Sequence, residues 1–171
     1  PSPPSHFPGM IGPRKRTQVM APDVLTELQD LRDKLSSAFG PDTAASGFPK
    51  CGPSSGQCAA VAAVVHEVLG GDMLSTHISG HSHWLNRVAM GGHALDIDLT
   101  GDQFGFPPIQ LSQAGTLYPN TRQRDVTDLS TETLKRALLL SRRAGLSLAE
   151  CAIETALKTR QSIVPDSSKP D

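Results

Sequence analysis

GPSSGQCAAVAAVVHEVLGG, residues 52–71, sets a loop of Gly, Pro and Ser against a run of Ala and Val, with Cys58 at the join. The run from Cys58 to about Leu69 predicts a helix that Gly70-Gly71 ends. It is apolar nearly all round, which places it in the middle of a core rather than on a surface. A cysteine in a first helical turn meets unpaired N–H groups and partial positive charge, which favour the nucleophilic thiolate. Cysteine is also a small hydrophobe that fills cores without doing chemistry. Both readings stay open on this stretch alone.

Downstream the period changes from helical to alternating. In HSHWLNRVAMGGHALDIDLT, residues 81–100, Leu95, Ile97 and Leu99 point one way and Asp96 and Asp98 the other. Gly91-Gly92 separates two such runs, so the segment reads as a β-hairpin. With a four-residue turn, Ala89 to Gly92, Val88 faces His93, Arg87 faces Ala94, Leu85 faces Asp96, His83 faces Asp98 and His81 faces Thr100. Directly opposed side chains stand about 5 Å apart at Cβ, within hydrogen-bonding reach for an imidazole and a carboxylate.

Upstream, Leu25, Leu28, Leu31 and Leu35 form the apolar stripe of an amphipathic helix that Gly40-Pro41 stops. Residues 40–56 read as a loop, and 101–120, with Gly105, Pro107-Pro108 and Pro119, as mostly irregular. Ser130 caps a helix over 131–144, and Ser147 with Glu150 forms a capping box for a last helix over 148–160. Residues 1–20, proline-rich with Arg14, Lys15 and Arg16, read as a disordered leader, 21–162 as one domain and 163–171 as a disordered tail. The predicted fold class is α+β: a central Cys-bearing helix packed on a small antiparallel sheet, with flanking helices.

The 171 residues suffice for one core. A formal charge of −1 gives no electrostatic footprint for nucleic acid, and no apolar run is long enough to span a bilayer. No nucleic-acid or membrane partner is expected. The start has no signal-peptide core, and three cysteines, Cys51, Cys58 and Cys151, make no disulfide framework. A cytoplasmic location follows as the expectation.

Thiol catalysis needs a nucleophile, a base to take its proton and a group to orient the base. Cys58, His83 and Asp98 supply these in compact order. His81 and Asp96 are the competing base and carboxylate. The backbone N–H of Cys58, helped by Gln57, is a candidate oxyanion donor. A zinc site from Cys51, Cys58, His77, His81 and His83 is the rival chemistry, although the seven-residue spacing of the two cysteines fits no compact zinc motif. A reversible Cys51–Cys58 disulfide is a further option, and a non-catalytic binding module with a buried Cys58 is the reading from another class.

Gly56-Gln57-Cys58 before an Ala/Val helix, Ser82-His83-Trp84 with Asn86-Arg87, and Asp98-Leu99-Thr100 with Gln103-Phe104 together resemble the YunG family of small bacterial proteins. The resemblance covers roughly residues 40–145. It implies a papain-like or transglutaminase-like arrangement, with Cys58, His83 and Asp98 catalytic and Gln57, Trp84 and Asn86 near the oxyanion or substrate. The implied activity is that of a hydrolase or transferase on a peptide, protein or small amide or ester, with no cofactor. Where the family usually has an aromatic and then Trp between His and Asn, this chain has Trp84-Leu85, a difference that bears on the substrate cleft.

Overall fold

The computed structural model describes residues 22–48, 52–148 and 151–163. Among these residues, four helices and a five-stranded antiparallel sheet make an α+β architecture. The helices are α1 (Pro22–Ala38), α2 (Cys58–Leu69), α3 (Thr131–Arg143) and α4 (Ala152–Ile163). The strands are β1 (Asp72–Ile78), β2 (His81–Met90), β3 (His93–Asp98), β4 (Gln110–Gln113) and β5 (Arg122–Arg124), in the order β4-β3-β2-β1-β5.

Helix α2 lies against β1 and β2, α3 lies against α2, and α1 and α4 both pack on α3. The small side chains of α2 permit that central place. Cys58 and every residue from Ala60 to Val65 are buried, so the helix is enclosed by sheet and helices together. Each buried valine or leucine contributes about 1.5–3 kcal/mol of hydrophobic stabilisation. Asn86 of β2 donates from Nδ2 to the carbonyl of Ala62 at 2.9 Å, a polar tie between sheet and helix. In α1 the buried stripe is Val24, Leu28, Leu31 and Leu35, while Leu25 is 47 % exposed. At 100° per residue Leu25 falls beside that stripe rather than on it.

The β2–β3 register differs from the expected one. Val88 pairs with Leu95, Ala89 with Ala94 and Met90 with His93, so only Gly91 and Gly92 form the turn. Both glycines have positive φ, 57° and 78°, the requirement of a two-residue hairpin turn of matching twist. The strands therefore run to the glycines themselves. Arg87 faces Asp96 instead of Ala94, and His83 no longer stands directly opposite Asp98. The displacement is two residues, an even number, so the faces are kept. Burial along β2 also changes parity. His83 and Leu85 are buried on one side of the change and Asn86, Val88 and Met90 on the other, where the ladder with β3 ends at Asn86 and Ile97.

Residues 101–120 are more ordered than expected. A 3₁₀ turn over Gly101–Phe104 and strand β4 lie within them, because β4 pairs with the outer side of β3. Helix α3 starts where expected, with Ser130 Oγ accepting from the N–H of Thr133 at 3.1 Å. Helix α4 begins at Ala152 and reaches Ile163, later at both ends than expected. The expected leader, nearly all of the tail, Cys51 and the Glu150 half of the capping box lie outside the described residues. No helix is long and apolar enough to cross a membrane among the described residues.

Candidate active site

The loop ahead of α2 turns back on itself before delivering Cys58. Gly56 has φ +73°, and its carbonyl accepts from the N–H of Ala45 at 2.8 Å. A Cβ at Gly56 would stand 2.6 Å from the Ala45 carbonyl oxygen, so only glycine fits. Ser54 Oγ donates to the carbonyl of Thr100 at 3.0 Å and also bonds the Asp102 carboxylate, which Arg32 Nη2 approaches at 3.5 Å. These contacts fasten the loop before the cysteine to the segment after β3.

Cys58 occupies the first position of α2 and is 4 % exposed, with no side-chain cap on the helix start. His83 on β2 and Asp98 at the end of β3 are buried, and the His83 imidazole meets the Cys58 side chain. His83 Nε2 donates to Asp98 Oδ2 at 2.7 Å, beyond the point where the β2–β3 ladder ends. A carboxylate only accepts, so Nε2 carries a proton and exchange with other groups falls to Nδ1. Asp98 Oδ1 takes the N–H of Thr100 at 2.9 Å and its hydroxyl at 3.3 Å, and Oδ2 also takes the Tyr118 hydroxyl at 2.5 Å.

Burial works against charge on His83, but its hydrogen bonds to Asp98 and to the Cys58 side chain, and the charge on both, raise its pKa to about 9. Burial likewise opposes the Asp98 carboxylate. His83, Tyr118 and the Thr100 N–H outweigh it and hold the carboxyl below its ordinary range. Burial and the adjacent Asp98 charge push the Tyr118 phenol upward. Phe104 and Tyr118 meet the imidazole edge-on, with ring centroids at 5.0 Å and 5.7 Å. The pair is thus oriented by hydrogen bonds and walled by two aromatic rings.

The competitors are placed elsewhere. Asp96 is fully buried but bonded to Arg87, at 2.7 Å to Nε and 3.3 Å to Nη2, and to the N–H of Gly115 at 2.8 Å. His81 faces Ile78 across β1 and meets the Phe48 ring at 5.7 Å. His77, on β1, is exposed. Among the described residues no three His, Cys, Asp or Glu side chains gather as a metal cluster, and Cys51 lies outside them.

The three residues expected near the oxyanion or substrate have other partners. Gln57 Nε2 donates to the carbonyl of Gly40 at 3.2 Å, while its buried Oε1 has no protein partner. Asn86 is tied to α2, and Trp84 carries the Arg124 guanidinium over its ring at 6.0 Å. Reading the sequence for chemistry missed Tyr118, the chain's one tyrosine, which lies in a stretch without periodicity. It also gave Gln103 no role. The amide of Gln103 donates to His83 Nδ1 at 3.2 Å and its Oε1 accepts from the N–H of Gly56 at 3.4 Å. A cavity of about 540 Å³ lies apart from these groups, lined by His66, Asp125 and residues of α4.

No curated protein and no solved structure matches the chain. The family described as YunG protein matches residues 27–144, which include Cys58, His83, Asp98, Gln103 and Tyr118 and stop short of α4. That match spans more than half of the 171 residues, and the chain belongs to the YunG family.

Proposed function

We propose that the protein is a thiol-dependent hydrolase or transferase acting on an amide or ester carbonyl, with a papain-like or transglutaminase-like arrangement of Cys58, His83 and Asp98. The observation that carries this reading is the buried 2.7 Å bond between His83 Nε2 and Asp98 beside a cysteine at the start of a helix. In the reaction, Nδ1 of His83 holds the proton that the thiol gives up, and Sγ attacks the carbonyl carbon as the thiolate. The tetrahedral adduct collapses as His83 returns the proton to the leaving nitrogen or oxygen, which departs as amine or alcohol. Water, or an amine in a transferase, then attacks the thioester and frees Cys58. Asp98 keeps the imidazole in the tautomer the first step needs. The backbone N–H of Cys58 is the oxyanion donor, since the Gln57 amide is already bonded to Gly40. Substrates are peptides, proteins or small amides and esters, no cofactor is required, and the work is done in the cytoplasm.

The burial of all three groups favours a second reading, a binding module of the same fold whose cysteine never reacts. Alkylation by iodoacetamide with mass mapping separates the two. The catalytic reading expects a Cys58 adduct in the folded protein that His83→Ala removes. A folded protein whose Cys58 stays unmodified, or modified no faster than Cys151, supports the binding module.

A further inference from the structure

His83 has two ring nitrogens and the structure assigns each a different neighbour. Nε2 is held by Asp98, so any proton exchanged with Cys58 passes through Nδ1. The group facing Nδ1 is the amide nitrogen of Gln103, at 3.2 Å. Gln103 is 7 % exposed, and its amide is turned one way round by its other end. Oε1 accepts from the Gly56 N–H at 3.4 Å, and Nε2 also reaches Thr100 Oγ1 at 3.5 Å. Turning the amide over would set its NH₂ against the N–H of Gly56, donor against donor. The nitrogen aimed at His83 therefore carries hydrogens and no available lone pair.

We infer that Gln103 is a positioning residue that directs the Nδ1 proton of charged His83 to Cys58: it donates to the neutral imidazole and offers no acceptor to the charged one. When His83 holds the thiol proton on Nδ1, the sulfur is the acceptor left for it. Because Gly56 stands two residues before Cys58, one carboxamide also sets the base and the nucleophile's loop against each other. The titratable groups facing His83 are Asp98 from β3, Cys58 from α2 and Tyr118 from the loop after β4. Asp98 and Cys58 favour the charged imidazole, and Gln103 is the donor that opposes them. This assignment rests on the thiol chemistry proposed above, but its consequence for His83 titration does not need a substrate.

The test is a titration of His83 by nitrogen-15 NMR in the full chain, beside the pH dependence of Cys58 alkylation. Gln103→Ala removes the donor and admits water, and His83 is expected to titrate about one pH unit higher. Gln103→Glu keeps the shape but sets an acceptor against Nδ1. It is expected to hold His83 charged to a higher pH still and to slow Cys58 alkylation near neutral pH about tenfold or more. If Gln103→Glu does not fold, as judged by circular dichroism, the Gln103→Ala titration decides. An unchanged His83 titration in Gln103→Ala, or a lowered one, overturns the inference. A shifted titration in a protein whose Cys58 is never alkylated upholds the assignment to Gln103 while removing the proposed function.

Discussion

The Tyr118 hydroxyl donates to Oδ2 of Asp98 at 2.5 Å, the same oxygen that takes the Nε2–H of His83. A buried carboxylate with several donors is stable as an anion and cannot swing toward another base. Tyr118→Phe removes one donor and keeps the ring against His83. The substitution is expected to cost about 1–2 kcal/mol of stability in denaturant unfolding. With one donor fewer the Asp98 carboxyl moves up toward its ordinary range, so acid unfolding should begin at a higher pH than in the unsubstituted protein. Identical acid transitions in the two proteins would contradict the role given to Tyr118.

Asp96 and Asp98 occupy the same strand and do different work. Asp98→Asn is expected to reduce Cys58-dependent turnover or labelling by two orders of magnitude or more, since an amide can hold the imidazole in the wrong tautomer. Asp96→Asn breaks the pair with Arg87 and weakens the tie to Gly115. It should cost about 1–3 kcal/mol of stability and leave the labelling rate within a few-fold. Measuring both variants for both properties separates the roles, and a rate loss in Asp96→Asn matching that of Asp98→Asn would show the assignment reversed.

His83 sets a pH dependence of stability on the alkaline side. Its pKa is raised to about 9 from the ordinary histidine value of 6.5, so the folded protein holds this proton more tightly than the unfolded chain. The resulting stabilisation is full below pH 6.5 and disappears as pH rises through 9, on the order of a few kcal/mol in all. Urea midpoints taken from pH 6 to pH 10 should fall across that window. In His83→Gln the fall should be largely gone, and an undiminished slope there would assign the effect to another group.

Gly56 is expected to be intolerant of any side chain. Its positive φ and the 2.6 Å approach of the Ala45 carbonyl to a Cβ position act together. Gly56→Ala should cost about 1–3 kcal/mol and displace the N–H that meets Gln103. Thermal unfolding gives the first effect and the Cys58 alkylation rate the second. Unchanged values for both would mean that the turn relaxes without moving the cysteine.

Local chemistry in the sequence determined the helices and the hairpin. An Ala/Val run between a Gly-rich loop and Gly70-Gly71 has one economical conformation, and spaced leucines between Pro22 and Gly40 have another. Alternation on either side of Gly91-Gly92 required a hairpin, and the two glycines also carried the information for its two-residue turn. What periodicity could not carry was the exact pairing, because a shift by two residues leaves every side chain on the same face. The expected register pairs His83 with Asp98 by direct opposition; in the register the sheet adopts, Arg87 faces and neutralises Asp96, and His83 still bonds Asp98. Tyr118 and Gln103 reach the imidazole from 35 and 20 positions away in the chain, brought there by β4 pairing with β3 and by the 3₁₀ turn after Thr100. Contacts of that separation arise from packing between elements, and no spacing rule along a single strand or helix encodes them.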